Sequence, residues 1–301
     1  MESYLKLNLK FIKFLTSSPS SRFFFVTLIL ALSPAALSQV SQNFLKTEQP
    51  QYELGAGFIM LNVPDYSGSS NNRLRIVPFP YYIYRGKYLR SDDEGTRARL
   101  LTSKYHETGL SFSFNFPVRS GNNPARFGMP DLDTLMGLGP RLLFRLITDE
   151  SHQRLNLTLS ARVMFSLDRD LKTMTRGLSL QPGLNYWKKF KNTDLTLFSA
   201  LNVEFASAEN NQFFYQVDPQ YLTPDRPSFH AQAGLVESSI SMGLGYNIMD
   251  NVFIFSSGSW RNLDLAKNRD SPLVVSRNNF AAVFGLVWTF YESQAKVLRL
   301  D

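Results

Sequence analysis

The feature that most constrains this chain is an alternation of apolar and polar residues with period two, repeated along most of its length. The clearest stretch is Leu155 to Ser166. Leu155, Leu157, Leu159, Ala161, Val163 and Phe165 share one parity and Asn156, Thr158, Ser160, Arg162 and Ser166 the other, with Met164 the exception. Successive side chains of a strand point to opposite faces, so such a stretch is a strand that is apolar on one side only. The pattern recurs at Leu110, Phe112, Phe114 and Phe116 against Ser111, Ser113 and Asn115. It appears again at Leu195, Leu197, Leu201, Val203 and Phe205 against Thr196, Asn202 and Glu204. It returns in Val236, Ile240, Met242, Leu244, Tyr246 and Ile248 against Glu237, Ser239, Ser241, Gly243, Gly245 and Asn247.

Period two fits a soluble sandwich as well as a membrane barrel, because both bury one face of each strand. The connections separate the two. Short turns at Thr148-Asp149-Glu150-Ser151, Lys191-Asn192-Thr193-Asp194 and Asp250-Asn251 alternate with longer polar links near 63–72, 118–133, 167–176, 207–230 and 265–276. Tight turns at one end and long loops at the other are the habit of barrels in an outer membrane. The spacing predicts strands near 51–62, 73–85, 86–91, 95–103, 107–117, 134–148, 153–166, 177–190, 193–206, 231–248, 251–264 and 278–290. The expected fold is therefore all-β, a transmembrane antiparallel up-and-down β-barrel of about twelve strands. Ten is the alternative, should the short segment at 86–91 merge with a neighbour and another boundary move. The barrel is expected over residues 51–291, with a C-terminal extension at 292–301. The last strand places Ala282, Phe284, Leu286, Trp288 and Phe290 on one face.

The N-terminus has a different character. Lys6, Lys10, Lys13 and Arg22 precede the apolar run from Phe23 to Leu32, and small residues follow as far as Ser38. A basic stretch, a short apolar core and a small-residue site predict a secretory signal peptide over residues 1–38, cleaved between Ser38 and Gln39. The apolar run is about half of the ~20 residues that a spanning helix needs. Residues 39–50 are expected to be a polar, irregular segment.

Charge and cysteine content exclude several function classes. The net charge of +7 falls to +4 without the leader, which holds four of the 32 Lys+Arg and one of the 25 Asp+Glu. The excess is scattered and no nucleic-acid-binding motif accompanies it, so nucleic acid is not an expected partner. Cysteine is absent, which removes thiol nucleophiles and cysteine-based zinc sites.

Several short motifs in the links and strands stand in a fixed order. They are Pro64-Asp65-Tyr66-Ser67-Gly68-Ser69, Val77-Pro78-Phe79-Pro80-Tyr81, Gly128-Met129-Pro130-Asp131-Leu132-Asp133 and Gly137-Leu138-Gly139-Pro140. After them come Tyr215-Gln216-Val217-Asp218-Pro219-Gln220, Pro227-Ser228-Phe229 and Asp270-Ser271-Pro272-Leu273-Val274. Each alone is what any loop uses to turn. As an ordered set they resemble the MipA/OmpV family of outer-membrane proteins, the MltA-interacting proteins. The resemblance implies an outer-membrane location in a Gram-negative bacterium and contact with outer-membrane lipid. It also implies a scaffold role between a lytic transglycosylase and a bifunctional murein synthase, that is, in peptidoglycan biosynthesis. Other members are regarded as porin-like.

Candidate chemistry is sparse. His106, His152 and His230 are far apart in sequence and are not expected to converge with a hydroxyl or carboxylate as a hydrolase requires. Asp92-Asp93-Glu94 and Asp131 with Asp133 lack the spacing of a calcium loop, so no metal, cofactor or catalytic residue is expected. Arg145, Arg162, Glu204 and Glu237 share the polar parity of their strands. In hydrocarbon each would be costly, so they are expected to face the lumen. There they could line a solute path, the alternative function, or form ion pairs that plug a narrow barrel. Tyr81-Tyr82, Tyr186-Trp187 and Phe213-Phe214-Tyr215 are expected to contribute to an interfacial aromatic girdle.

Overall fold

A computed structural model describes residues 48–84, 89–92, 95–98, 101–103, 105–149 and 153–298. The expected leader and its cleavage site at Ser38 and Gln39 lie outside the described residues, as do Asp93, Glu94 and His152.

Ten long strands form one curled antiparallel sheet. They are β1 (Tyr52–Pro64), β2 (Asn72–Tyr84), β3 (His106–Asn115), β4 (Thr134–Asp149), β5 (Gln153–Leu167), β6 (Thr173–Lys189), β7 (Leu195–Ala206), β8 (Gly234–Met249), β9 (Val252–Asn262) and β10 (Asn278–Glu292). Each strand from β3 to β9 pairs with the next in sequence, and β10 pairs back onto β1, which pairs with β2. That is the topology of an up-and-down barrel closed through its first and last strands. At the remaining seam, a short hairpin of Leu89–Asp92 and Gly95–Ala98 lies between β2 and β3 and contacts both. The expected strands at 86–91 and 95–103 are thus short pieces at the seam, and the number of long strands is ten.

Why this sheet closes around polar groups is visible in its burial. On β5, Asn156, Ser160, Arg162, Met164 and Ser166 are buried while Leu157, Leu159 and Val163 are exposed. Ser111 is 0% and Arg162 7% exposed, against 57% for Leu178 and 49% for Val163. A soluble sheet buries its apolar face; here the apolar face is outermost and its solvent is lipid. Among the described residues, no helix is long and apolar enough to cross a membrane.

The interior is divided. Along the middle of β1, β2, β9 and β10 the inward residues are apolar, and Ile59, Leu61, Val77, Phe79, Tyr81, Phe253, Phe255 and Val287 form one buried cluster. Its rings lie on glycines of the neighbouring strand. Phe79 is opposite Gly57, Tyr81 opposite Gly55 and Phe255 opposite Gly285, and on the other wall Phe198 is opposite Gly243. A Cβ at Gly243 would sit 2.0 Å from the Phe198 ring, and one at Gly285 2.3 Å from that of Phe255. Only a glycine lets a ring lie this close to the next backbone, so large and small inward positions fill the taper of a small barrel. Met164 breaks the parity of β5 because it fills the same interior, 3.9 Å from the Ser113 hydroxyl.

The two prolines of β2 report its place in the sheet. Pro78 and Pro80 cannot donate to a ladder, and β2 is the strand whose outer edge meets the seam, where a proline is tolerated.

Three boundaries differ from expectation. The link expected over 167–176 is shorter, because β6 starts at Thr173 and continues through a bulge between Thr175 and Leu178, where Gly177 has φ +77. The end of the polar N-terminal segment is a strand: Glu48–Pro50 pairs antiparallel with Lys296–Leu298, so these two segments form a small two-stranded ribbon. Phe116 leaves the outward row as β3 ends, and packs with the interior cluster.

Candidate functional site: a polar girdle beneath a folded cap

The long links do not hang free. Residues 65–71, 116–133, 207–233 and 263–277 fold together over one end of the barrel. Their core is Tyr66, Val118, Leu132, Tyr215, Val217, Ala231 and Leu273, all at most 5% exposed. A short helix, α1 (Ala208–Tyr215), begins after Ser207 and carries Glu209 in its first turn, where a carboxylate suits the helix N-terminus. The expected aromatic girdle residues Phe213, Phe214 and Tyr215 lie on this helix and pack in the cap instead. Tyr82 and Trp288 point outward near the short-turn end, at 55% and 50% exposure, as a girdle requires. Tyr81 and Trp187 point inward.

Buried polar groups tie the cap to the barrel. Asp65 accepts hydrogen bonds from Arg73 Nη2 (3.1 Å), Asn71 Nδ2 (2.9 Å) and Asn123 Nδ2 (2.8 Å), besides Arg73 Nε. Burial alone would raise the Asp65 carboxyl, but these donors outweigh it and hold the group below its ordinary value. Tyr66 donates to the Leu273 carbonyl and Tyr215 to that of Ser67, each at 2.9 Å. Burial pushes the Tyr66 hydroxyl up to about 12, with Arg126 opposing the shift, and also drives the Tyr215 hydroxyl well above its ordinary value. The Arg126 guanidinium spans the Phe214 and Pro130 carbonyls, and Arg226 those of Tyr221, Ala125 and Phe127. Each arginine thus satisfies carbonyls that a helix or sheet would otherwise have to satisfy.

The motif residues divide between this cap and the strands. Gly68 has φ +95 and a Cβ there would press on Val274; its N–H donates to Asn279 Oδ1 at 2.6 Å. Asp131 accepts from Ser120 N and Arg169, and the Ser271 hydroxyl donates to the Tyr215 carbonyl at 2.8 Å. Met129 packs on the cap core, Gly128 is exposed at φ +81, and Asp270 pairs with Arg277 at the surface. Asp133 and Pro272 are half-buried. Gly139 and Pro140 lie on β4, where a Cβ at Gly139 would strike the Ala161 carbonyl oxygen at 2.0 Å.

Directly under the cap, polar side chains cross the inner wall as a girdle. Arg162 donates to Ser111 Oγ (2.7 Å) and Gln181 Oε1 (2.8 Å), and Ser179 Oγ to Glu204 (2.8 Å). Glu204 stands directly opposite Glu237 across β7 and β8. Glu237 accepts a very short hydrogen bond from Ser67 of the cap and faces Arg261 at 3.8 Å. Arg162, Glu204 and Glu237 therefore gather in one belt. Arg145 does not join them; near the short-turn end it donates to Glu107 and to the Ser103 carbonyl, both at 2.9 Å. Ser111, Ser179, Gln181 and Arg261 escape a search for charged clusters, because strand parity marks them as inward without saying which strands place them side by side.

His106 Nδ1 is 2.8 Å from Ser103 Oγ, an exposed contact within one turn, while His230 is exposed in the cap. Among the described residues, no group of three or more His, Cys, Asp or Glu could hold a metal.

Similarity to solved structures is remote. An outer membrane channel from Pseudomonas putida F1 is 9% identical over 80% of this chain and 96% of its own, with a TM-score of 0.42. OmpT of Vibrio cholerae is 5% identical over 81% and 98%, with a TM-score of 0.38. The translocator domain of the autotransporter NalP from Neisseria meningitidis is 11% identical over 84% and 92%, also with a TM-score of 0.38. No curated protein sequence matches the chain. The family described as MltA-interacting protein MipA matches residues 54–290, nearly the whole barrel with its cap, and the chain belongs to that outer-membrane family.

Proposed function

We propose that this chain is a non-enzymatic scaffold of the outer membrane. In this reading it is exported through a leader cleaved at Ser38–Gln39 and holds murein-remodelling enzymes, a lytic transglycosylase and a murein synthase, at the inner face of that membrane. The observation that carries the reading is the filled interior. Rings seated on glycines occupy one wall and a hydrogen-bonded girdle the other, and a packed cap covers the end with the long loops. A barrel built this way offers its ends and turns rather than its lumen. The family description, which names an interacting protein, agrees. The full chain in detergent micelles, immobilised and exposed to a purified lytic transglycosylase and a murein synthase, should retain at least one of them above a bare-micelle background. Retention of neither removes the scaffold role.

A second reading, a narrow channel for small solutes, is favoured by the girdle itself, because Arg162, Glu204 and Glu237 set fixed charges across the interior. Recording from a planar bilayer separates the two. A discrete conductance altered by Arg162→Gln but not by Arg145→Gln supports a path through the girdle. A silent bilayer leaves the scaffold alone.

A further inference from the structure

Inward arginines of this barrel have partners almost throughout: Arg73 holds Asp65, Arg145 holds Glu107, Arg162 holds Ser111 and Gln181, and Arg261 faces Glu237. Arg75 is different. It lies on the inward face of β2, two residues from Arg73 and two from buried Val77. Its guanidinium carbon stacks 4.5 Å from the centroid of the Phe116 ring. Its Nη1 is buried and has no hydrogen-bond partner. The neighbouring Asp65 attracts Arg75 through charge but accepts no hydrogen bond from it, because its oxygens are taken by Arg73, Asn71 and Asn123. A buried donor without an acceptor is rare and costs about 1–3 kcal/mol, and a guanidinium presents its N–H groups as a planar fork suited to two oxygens. Stacking on Phe116 satisfies the face of that plane and leaves its edge for an acceptor. Around the edge the wall is apolar: Leu61 is the register partner of Arg75 on β1, and Val77 and Phe116 belong with the same interior cluster.

We propose that Arg75 is the anchor of a binding seat beneath the cap for a small carboxylate, whose two oxygens take the guanidinium fork and whose apolar body lies on Leu61, Val77 and Phe116. The bound oxyanion gives the buried Nη1 the acceptor it lacks, and the apolar wall selects against a fully hydrated anion such as inorganic phosphate. The seat is independent of whether murein enzymes dock elsewhere on the barrel.

The test is calorimetric titration of the full chain in detergent with benzoate, corrected by titration of empty micelles. Saturable binding is expected, weakened at least about tenfold in Arg75→Gln and several-fold in Arg75→Lys, which keeps the charge without the fork. Substitution of the exposed Arg119 by Gln should leave it unchanged. Far-UV circular dichroism establishes that each variant keeps its strands, and Arg75→Lys carries the test if Arg75→Gln does not fold. Equal affinity in the wild type and the Arg75 variants overturns the proposal. So does equal weakening in Arg119→Gln, which would mean general charge attraction, or phosphate displacing benzoate at matched concentration, which would mean that the apolar wall selects nothing.

Discussion

The molecule has two buried cores, and they are built in opposite ways. Inside the barrel, rings from one strand lie on glycines of the next, and the strand ladder fixes every position. Phe198 on Gly243 and Phe255 on Gly285 are register partners. In the cap there is no ladder to speak of. Its apolar core is positioned by buried side chains that reach across the loops, with Asp65 bonded to Asn123 58 residues away and Tyr66 to the Leu273 carbonyl. The first core tolerates no added atom, whereas the second depends on a few polar keystones. The difference follows from surroundings: a spanning strand must satisfy its backbone within the sheet, while the cap lies in water and is free to use side chains.

The sharpest way to break this contrast is to add bulk on the barrel side. Gly243→Val places new atoms 2.0 Å from the Phe198 ring and 2.5 Å from the Ser256 carbonyl oxygen. Overpacking that cannot relax into a backbone should cost more than about 3 kcal/mol, read as the urea midpoint of the barrel in lipid vesicles. Gly258, around which nothing lies within 4 Å, should accept Ala within about 0.5 kcal/mol. Equal effects at the two sites would show that the ring-on-glycine contacts do not govern the barrel.

A second experiment uses two leucines that look alike. Leu159 on β5 is 37% exposed and Leu222 in the cap 51%. Leu159 faces lipid, so Leu159→Arg should cost about 2–4 kcal/mol in a bilayer. Leu222 faces water, and the same substitution there should fall within about 0.5 kcal/mol. If Leu222→Arg were as damaging, the cap would have to lie within the membrane.

How far the sequence discloses these regions depends on the same surroundings. β5 reads clearly because one side is lipid and the other polar. β1, β2 and β9 are placed by the sequence within two residues of their observed bounds, but their facing is not legible, since Ile59, Val77, Phe79, Phe253 and Phe255 face inward while apolar residues such as Phe58, Ile76 and Ile254 face outward. With both faces apolar, parity has nothing to separate. Strand parity also marks Arg145, Arg162, Glu204 and Glu237 as one class. Only register shows Glu204 opposite Glu237 and sets Arg145 with Glu107. The cap was least legible, because links that read as polar loops assemble through contacts between residues tens of positions apart, which no local pattern encodes.

Removing a keystone should act on the cap alone. Asp65→Asn leaves the Arg73 guanidinium facing a neutral partner, at a cost of about 1–3 kcal/mol. Hydrogen exchange should accelerate in residues 65–71 and 116–133, with protection in β5 to β8 unchanged. Acceleration in both would mean that cap and barrel open as one unit, and the distinction between the two cores would fail.

The smallest effect is the dependence of the cap on pH, and its sign is fixed by the keystones. The Asp65 carboxyl titrates below its ordinary value of 3.8 in the folded cap, so its contribution is present above that value and is lost as pH falls through the depressed one. Tyr66 is shifted the other way. Held neutral by burial up to about 12 against an ordinary 10.0, it stabilises the cap below pH 10 and ceases to do so as pH rises through 12. Exchange of cap amides, corrected for the intrinsic rate at each pH, should therefore show a broad minimum with an acid limb and an alkaline limb. Asp65→Asn should flatten the acid limb, and Tyr66→Phe combined with Tyr215→Phe the alkaline one, since both buried hydroxyls are shifted upward. An acid limb that survives Asp65→Asn unchanged would show that this carboxylate is not the keystone of the cap, and the contrast between a laddered core and one held by a few buried side chains would lose its main support.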